Sequence, residues 1–98
     1  MFSLTQSTPM SRDCTCGYIV DLHKEYTVDE FIQEVLTERN KEWGYFKIND
    51  GVHENRGLRW YRNGRFESGM IPEDLLNIKI QKVNASGGWS RMDYVITV

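Results

Sequence analysis

Two periodicities alternate along this chain. CGYIVDL, residues 16–22, sets Tyr18, Val20 and Leu22 on one side and Ile19 on the other, the alternation of a strand. The period then changes: Val28, Phe31, Ile32, Val35 and Leu36 recur at helical spacing, with Glu34 and Glu38 off the stripe. Thr27 and Glu30 make a T-x-x-E capping box, in which each side chain can take the other residue's free backbone N–H, and Tyr26 and Phe31 hold the staple positions around it. Asp29 and Glu30 place negative charge at the positive end of the helix dipole. Asn40 can adopt a left-handed cap, so one main helix is predicted over residues 27–40.

EWGYFKI (42–48) is apolar on both faces and reads as a central strand, followed by a polar loop, NDGVHENRG (49–57). In LRWYRNGRFESG (58–69), Asn63-Gly64 can form a type I′ turn. That register sets Arg62 opposite Arg65, Tyr61 opposite Phe66 and Trp60 opposite Glu67, and puts Arg59 on the other face. IPEDLL (71–76) carries proline at a first-turn position and predicts a short helical turn. IKIQKV (78–83) and MDYVITV (92–98) read as the last strands, with NASGGWSRMDY (84–94) supplying the loop between them and the terminal valine paired in the sheet. Residues 1–13 lack periodicity and read as a flexible leader before a single domain over 14–98. The predicted fold is α+β: a mixed or antiparallel sheet of about five to six strands on one main helix. Its element order is similar to that of ubiquitin-like β-grasp domains.

Composition narrows the class more than the activity. The chain has 98 residues, 40% of them hydrophobic and 27% charged, with a mean hydropathy of -0.54, the balance of an ordinary folded domain. No apolar run approaches the roughly 20 residues of a membrane span, and no basic-then-apolar segment opens the sequence. A cytoplasmic location and no membrane partner are therefore expected. The formal net charge of -2 conceals an asymmetry, because residues 1–54 carry ten acids and five bases whereas residues 55–98 carry four acids and seven bases. Arg56, Arg59, Arg62 and Arg65 fall together in the basic half.

Candidate chemistry is sparse. Cys14 and Cys16 are too close for an unstrained disulfide, and Cys-x-Cys with the scattered His23 and His53 departs from zinc-site spacing. Neither a metal nor any other cofactor is expected. No G-x-S-x-G, H-E-x-x-H or paired-carboxylate pattern occurs, and the chain is read as a non-enzyme. Arg59, Trp60, Arg62 and Arg65 on the hairpin are candidate binding residues, as are Gly87, Gly88, Trp89, Ser90 and Arg91 in the loop. The loop reads either as a turn between strands or as a nest of backbone N–H groups for an anion. YTVDEFIQEVL, the EWGYF that follows and ASGGWSRMDYVI resemble a group of small uncharacterised proteins from gut bacteria and their phages or mobile elements, over about residues 16–98. That resemblance implies a mobile-element setting and carries no activity, cofactor or catalytic residue with it. The expected function is a small binding module for another protein, in the setting of a phage or mobile-element accessory protein. The alternative is a small-anion or nucleotide binder using the hairpin arginines and the GGWSR loop. Nucleic acid ranks below both, because net negative charge opposes phosphate binding.

Overall fold

The computed structural model describes residues 2–6, 16–39, 43–52, 56–87 and 90–98. Seven strands form one mixed sheet: β1 (Ser3–Gln6), β2 (Cys16–Asp21), β3 (Trp43–Asn49), β4 (Gly57–Arg62), β5 (Arg65–Met70), β6 (Lys82–Gly87) and β7 (Arg91–Thr97). Their order across the sheet is β1-β2-β6-β7-β3-β4-β5, and every neighbouring pair is antiparallel except β3 with β7. The helices are α1 (Val28–Glu34), which continues through a π-helical turn at Val35–Arg39, and the short α2 (Glu73–Leu76). The domain is α+β as expected, but it has more strands and less helix than the sequence suggested.

Helix α1 starts where its capping box demands. The Glu30 N–H donates to Thr27 Oγ1 at 3.3 Å, and the Thr27 N–H donates back to Glu30 Oε1 at 3.1 Å. That backbone bond holds the Glu30 carboxyl below its usual range. The helix widens near its end, where the Thr37 hydroxyl bonds the Gln33 carbonyl at 2.8 Å, the acceptor an α-helix would give to the Thr37 N–H. Val28, Phe31, Ile32 and Val35 are fully buried against Phe46, Ile48, Tyr94 and Ile96 of the central strands. Phe31 sits at the middle of this core, with ring centroids of Phe2 at 4.9 Å, Tyr94 at 5.4 Å and Tyr26 at 6.2 Å.

The chain reaches this sheet by inserting its last hairpin. β2 and β3 run parallel and are joined through α1, yet they are not neighbours: β6 and β7 lie between them. On the helix side Tyr61 crosses Gly44 and donates to the Met92 carbonyl at 2.6 Å, tying β4 to β7 over β3. A Cβ on Gly44 would lie 2.1 Å from that carbonyl oxygen and 2.5 Å from the tyrosine oxygen, so only glycine admits the crossing. Burial pushes the Tyr61 phenol well above its normal range.

Three sequence expectations are corrected. Of the predicted leader, Phe2 is buried in the core and Ser3–Gln6 pair with β2, because the edge of the sheet and Phe31 offer them hydrogen bonds and apolar contact; residues 7–13 lie outside the described residues. The sixth strand begins at Lys82, not at residue 78: Lys79 instead bridges Thr27, and Ile80 donates its N–H to the Tyr26 carbonyl at 2.8 Å, which diverts the segment to the start of α1. Residues 84–87 of the expected loop are therefore strand. In the hairpin, Asn63 and Gly64 have the positive φ values of 52° and 76° that the turn requires, and Arg62–Arg65 and Tyr61–Phe66 pair as predicted. A bulge at Glu67, however, places Ser68 opposite Trp60.

Two substitutions test this architecture. Thr27→Ala removes the cap and is expected to lower unfolding free energy by about 0.5–2 kcal/mol in urea titration. Phe2→Ala is expected to cost about 3–5 kcal/mol, as for other buried aromatics. An unchanged urea midpoint for the second variant would mean that the N-terminal residues do not belong to the core.

Candidate functional site

Helices cover one face of the sheet only; among the described residues nothing packs on the other. Strand alternation sends Trp43, Tyr45 and Lys47 of β3 to this open face, with Leu58, Trp60 and Arg62 of β4 beside them. β7 contributes Arg91 and Asp93 from the other side. Cross-strand register then builds a single row, Arg91–Trp43–Arg62–Arg65, over four adjacent strands. The next row places Asp93, Tyr45, Trp60 and Ser68 side by side.

The rings form a connected platform. The Trp43 and Trp60 indoles are nearly parallel, 10° apart with centroids at 6.5 Å, and Tyr45 meets Trp60 edge-on at 5.7 Å. The Arg91 guanidinium lies over Trp43, 4.2 Å from the ring centroid, and within 5.6 Å of Tyr45 and 5.9 Å of Trp60. Its Nε donates to both oxygens of Asp93, at 2.9 and 2.7 Å. The terminal nitrogens of Arg91 have no hydrogen-bond partner among the described residues. Nor has Arg62 or Arg65 an ion-pair partner there. A hollow of about 360 Å³ opens on this surface, lined by Trp43, Trp60, Tyr61, Arg62, Glu67 and Ser68.

Asp93 sits under this cluster with only 11% of its side chain exposed. Burial raises its pKa above the ordinary carboxylate value, and the Arg91 hydrogen bond and charge oppose that rise without cancelling it. Asp93 orients Arg91 by holding its Nε edge, which leaves the opposite edge of the guanidinium directed away from the carboxylate.

The expected site residues divide. Trp60, Arg62, Arg65 and Arg91 converge on the open face. Arg59 does not: it lies on the helix side, with its guanidinium 3.5 Å from the Phe66 ring centroid, because it stands an odd number of residues from Trp60 and Arg62 along β4 in the alternation that buries Tyr61. Gly87 ends β6, where its φ of 155° and a Cβ clash at 2.1 Å with the Arg91 carbonyl give it a role in the strand connection. Ser90 accepts the Trp43 N–H at its carbonyl, 2.9 Å, which starts the β7–β3 ladder. Gly88 and Trp89 lie outside the described residues. Arg56, from the same basic window, is engaged with Asp74 at 2.8 Å and Asp50 at 3.7 Å. Sequence reasoning missed Trp43, Tyr45 and Asp93. The signal for the first two was present, since aromatics two apart in a strand share a face.

Ser3, His23 and Asp21 make a second cluster at the β1 edge, with Ser3 Oγ 3.1 Å from His23 Nε2 and Asp21 Oδ2 4.0 Å from His23 Nδ1. The latter gap exceeds a hydrogen bond, and both side chains are more than half exposed, so the imidazole lacks the held orientation that nucleophilic catalysis requires. Among the described residues no group of three or more His, Cys, Asp and Glu is arranged to hold a metal ion. Cys14 and His53 lie outside those residues, and the side chain of Cys16 is not described. No described helix is long and apolar enough to cross a membrane. Comparison with known proteins finds no matching family model, no similar curated protein and no similar solved structure.

The Asp93 environment yields a pH prediction. A carboxyl with a raised folded pKa binds protons more tightly in the native than in the unfolded state, so its contribution to stability falls as pH rises through the folded pKa. Relative to Asp93→Asn, the parent should therefore lose stability as pH rises from about 4, where the unfolded group titrates. Urea midpoints measured across that range check the sign; a parent that gains on the variant instead would show the Arg91 pair outweighing burial.

Proposed function

We propose that this protein is a non-enzymatic binding module whose recognition surface is the open face of the sheet. Its ligand carries an anionic group together with a planar ring, the chemistry of a nucleotide. The observation that supports this reading is the row Arg91–Trp43–Arg62–Arg65. Three guanidinium groups beside stacked indoles offer charge-assisted hydrogen bonds to phosphate and a flat apolar surface to a ring. The volume of the hollow, about 360 Å³, lies within the usual range of roughly 300–1,000 Å³ for small-ligand sites. Glu67 and Ser68 at its rim can accept hydrogen bonds from ring amino groups.

A second reading, a protein partner, draws on different residues. Ile19, Leu58 and Met70 are 54%, 38% and 80% exposed, and with the Trp, Tyr and Arg side chains they resemble the anchors of protein interfaces. The phage or mobile-element setting belongs with this reading.

Titration with adenosine monophosphate, followed by amide NMR shifts, separates the two. The expected footprint covers Trp43, Tyr45, Trp60, Arg62 and Arg91, and Arg62→Ala or Arg91→Ala should weaken binding about tenfold or more, as loss of a charged hydrogen bond does. Shifts confined to other residues, with both variants binding as the parent does, would sink the nucleotide reading.

A further inference from the structure

The open face carries a second hollow, of about 270 Å³, lined by Tyr45, Lys47, Leu58 and Trp60. Trp60 lines this hollow and the first one alike. Each of the two thus combines aromatic rings with one cation: Trp43, Trp60 and Arg62 in the first, Tyr45, Trp60 and Lys47 in the second. The two cations stand on adjacent strands, with Arg62 paired to Trp43 and Lys47 to Leu58. Successive residues on one face of a strand lie roughly 6.6–6.8 Å apart, so the rows through Arg62, Trp60 and Leu58 advance across the sheet in even steps. A site with one ring-and-cation unit suits a monomer; two units in sequence suit a polymer whose repeat is a ring and a negative charge.

We infer that the open face binds single-stranded nucleic acid, with consecutive bases seated in the two hollows on either side of Trp60. This rests on the nucleotide reading above and extends it from one base to a strand. The phosphates meet Arg62, Arg65 and Arg91 at one end and Lys47 at the other. A single strand is preferred to a duplex because stacking on Trp43, Trp60 and Tyr45 requires free base faces. The overall charge of -2 does not by itself oppose this, because five of the fourteen acids belong to α1 and α2. Asp29, Glu30 and Glu34 of α1 and Glu73 and Asp74 of α2 lie in the helical layer, on the far side of the sheet from Lys47, Arg62 and Arg91. On the open face itself Lys47, Arg62, Arg65 and Arg91 outnumber Asp93 and Glu67, so the local field favours an anion.

The test compares thymidine monophosphate, a short oligothymidylate and polyglutamate on the full chain, by tryptophan fluorescence and amide NMR. The oligothymidylate is expected to bind on the order of a hundredfold or more tighter than the monophosphate, since linked units bind in concert. Its footprint should include Lys47 and Leu58 as well as Trp43 and Arg62. Affinity should fall with salt, and Lys47→Ala and Arg62→Ala should each reduce the slope of log K against log salt by about 0.7. Trp60→Ala should weaken binding by about 5- to 150-fold. Should that variant fail to unfold cooperatively in urea, the two cation variants, both at surface positions, carry the test alone.

Equal affinity for the monophosphate and the oligomer, with shifts confined to the first hollow, would overturn the strand proposal and leave the single-nucleotide reading intact. Polyglutamate binding as tightly as the oligomer, with the same footprint, would overturn it in favour of an acidic protein segment. Binding of none of the three would overturn both readings.

Discussion

The parallel pairing of β7 with β3 is the constraint on which the rest of this structure depends. It runs from the Trp43 N–H on the Ser90 carbonyl, 2.9 Å, to the Val98 N–H on the Asn49 carbonyl, 3.0 Å. On the helix side it stacks Phe46 on Tyr94, 5.6 Å between centroids and 14° from parallel, and sets Ile48 beside Ile96. On the open side the same register sets Arg91 beside Trp43. Without this pairing, β1, β2 and β6 would have no contact with β3, β4 and β5 in the sheet. Parallel strands cannot be joined by a tight turn, and here the β4–β5 hairpin, α2 and β6 lie between β3 and β7 along the chain.

One-sided packing follows from the small amount of helix. Two helices and a π-helical turn can bury a single face, and Phe31, Ile32, Leu75 and their neighbours bury it fully. β3 is nevertheless apolar on both sides, and together with Trp60 of β4 its second face presents indoles and a phenol to solvent, with Trp43 36% exposed. Arg91 covers part of that surface, and its pairing with Asp93 fixes where it lies. Asp93 is buried because Arg91 lies over it, and Arg91 is oriented because Asp93 is buried. The cluster is a local arrangement of charge and rings imposed by register, and the proposed binding surface inherits its geometry from it.

Much of the local structure was legible in the sequence, since local rules dictate it. The Thr27–Glu30 box, the Asn63-Gly64 turn and the short helix after Pro72 depend on neighbours a few residues away, and each formed as expected. So did the pairing of Arg62 with Arg65, because a two-residue turn sets the register beside it. The bulge at Glu67 escaped, since nothing in the hairpin's own pattern distinguishes a regular ladder from one with an extra residue.

Tertiary structure alone decided the remainder. Phe2 and β1 gain order from Phe31 and β2, contacts that a window of a dozen residues does not contain. The segment 78–80 has the alternation of a strand, yet Tyr26 and Thr27 capture it, because backbone partners at the start of α1 are available only in the folded chain. The candidate site divides in the same way. Aromatic and arginine residues in the hairpin and beside the glycines were visible as composition. That Arg59 turns to the helix side while Arg62, Arg65 and Arg91 align with Trp43 follows from strand order and register, which join residues 43, 62 and 91 in space. Residue types and turn chemistry are properties of the chain; the row is a property of the sheet, because only hydrogen-bonded strands can bring such distant residues to one face.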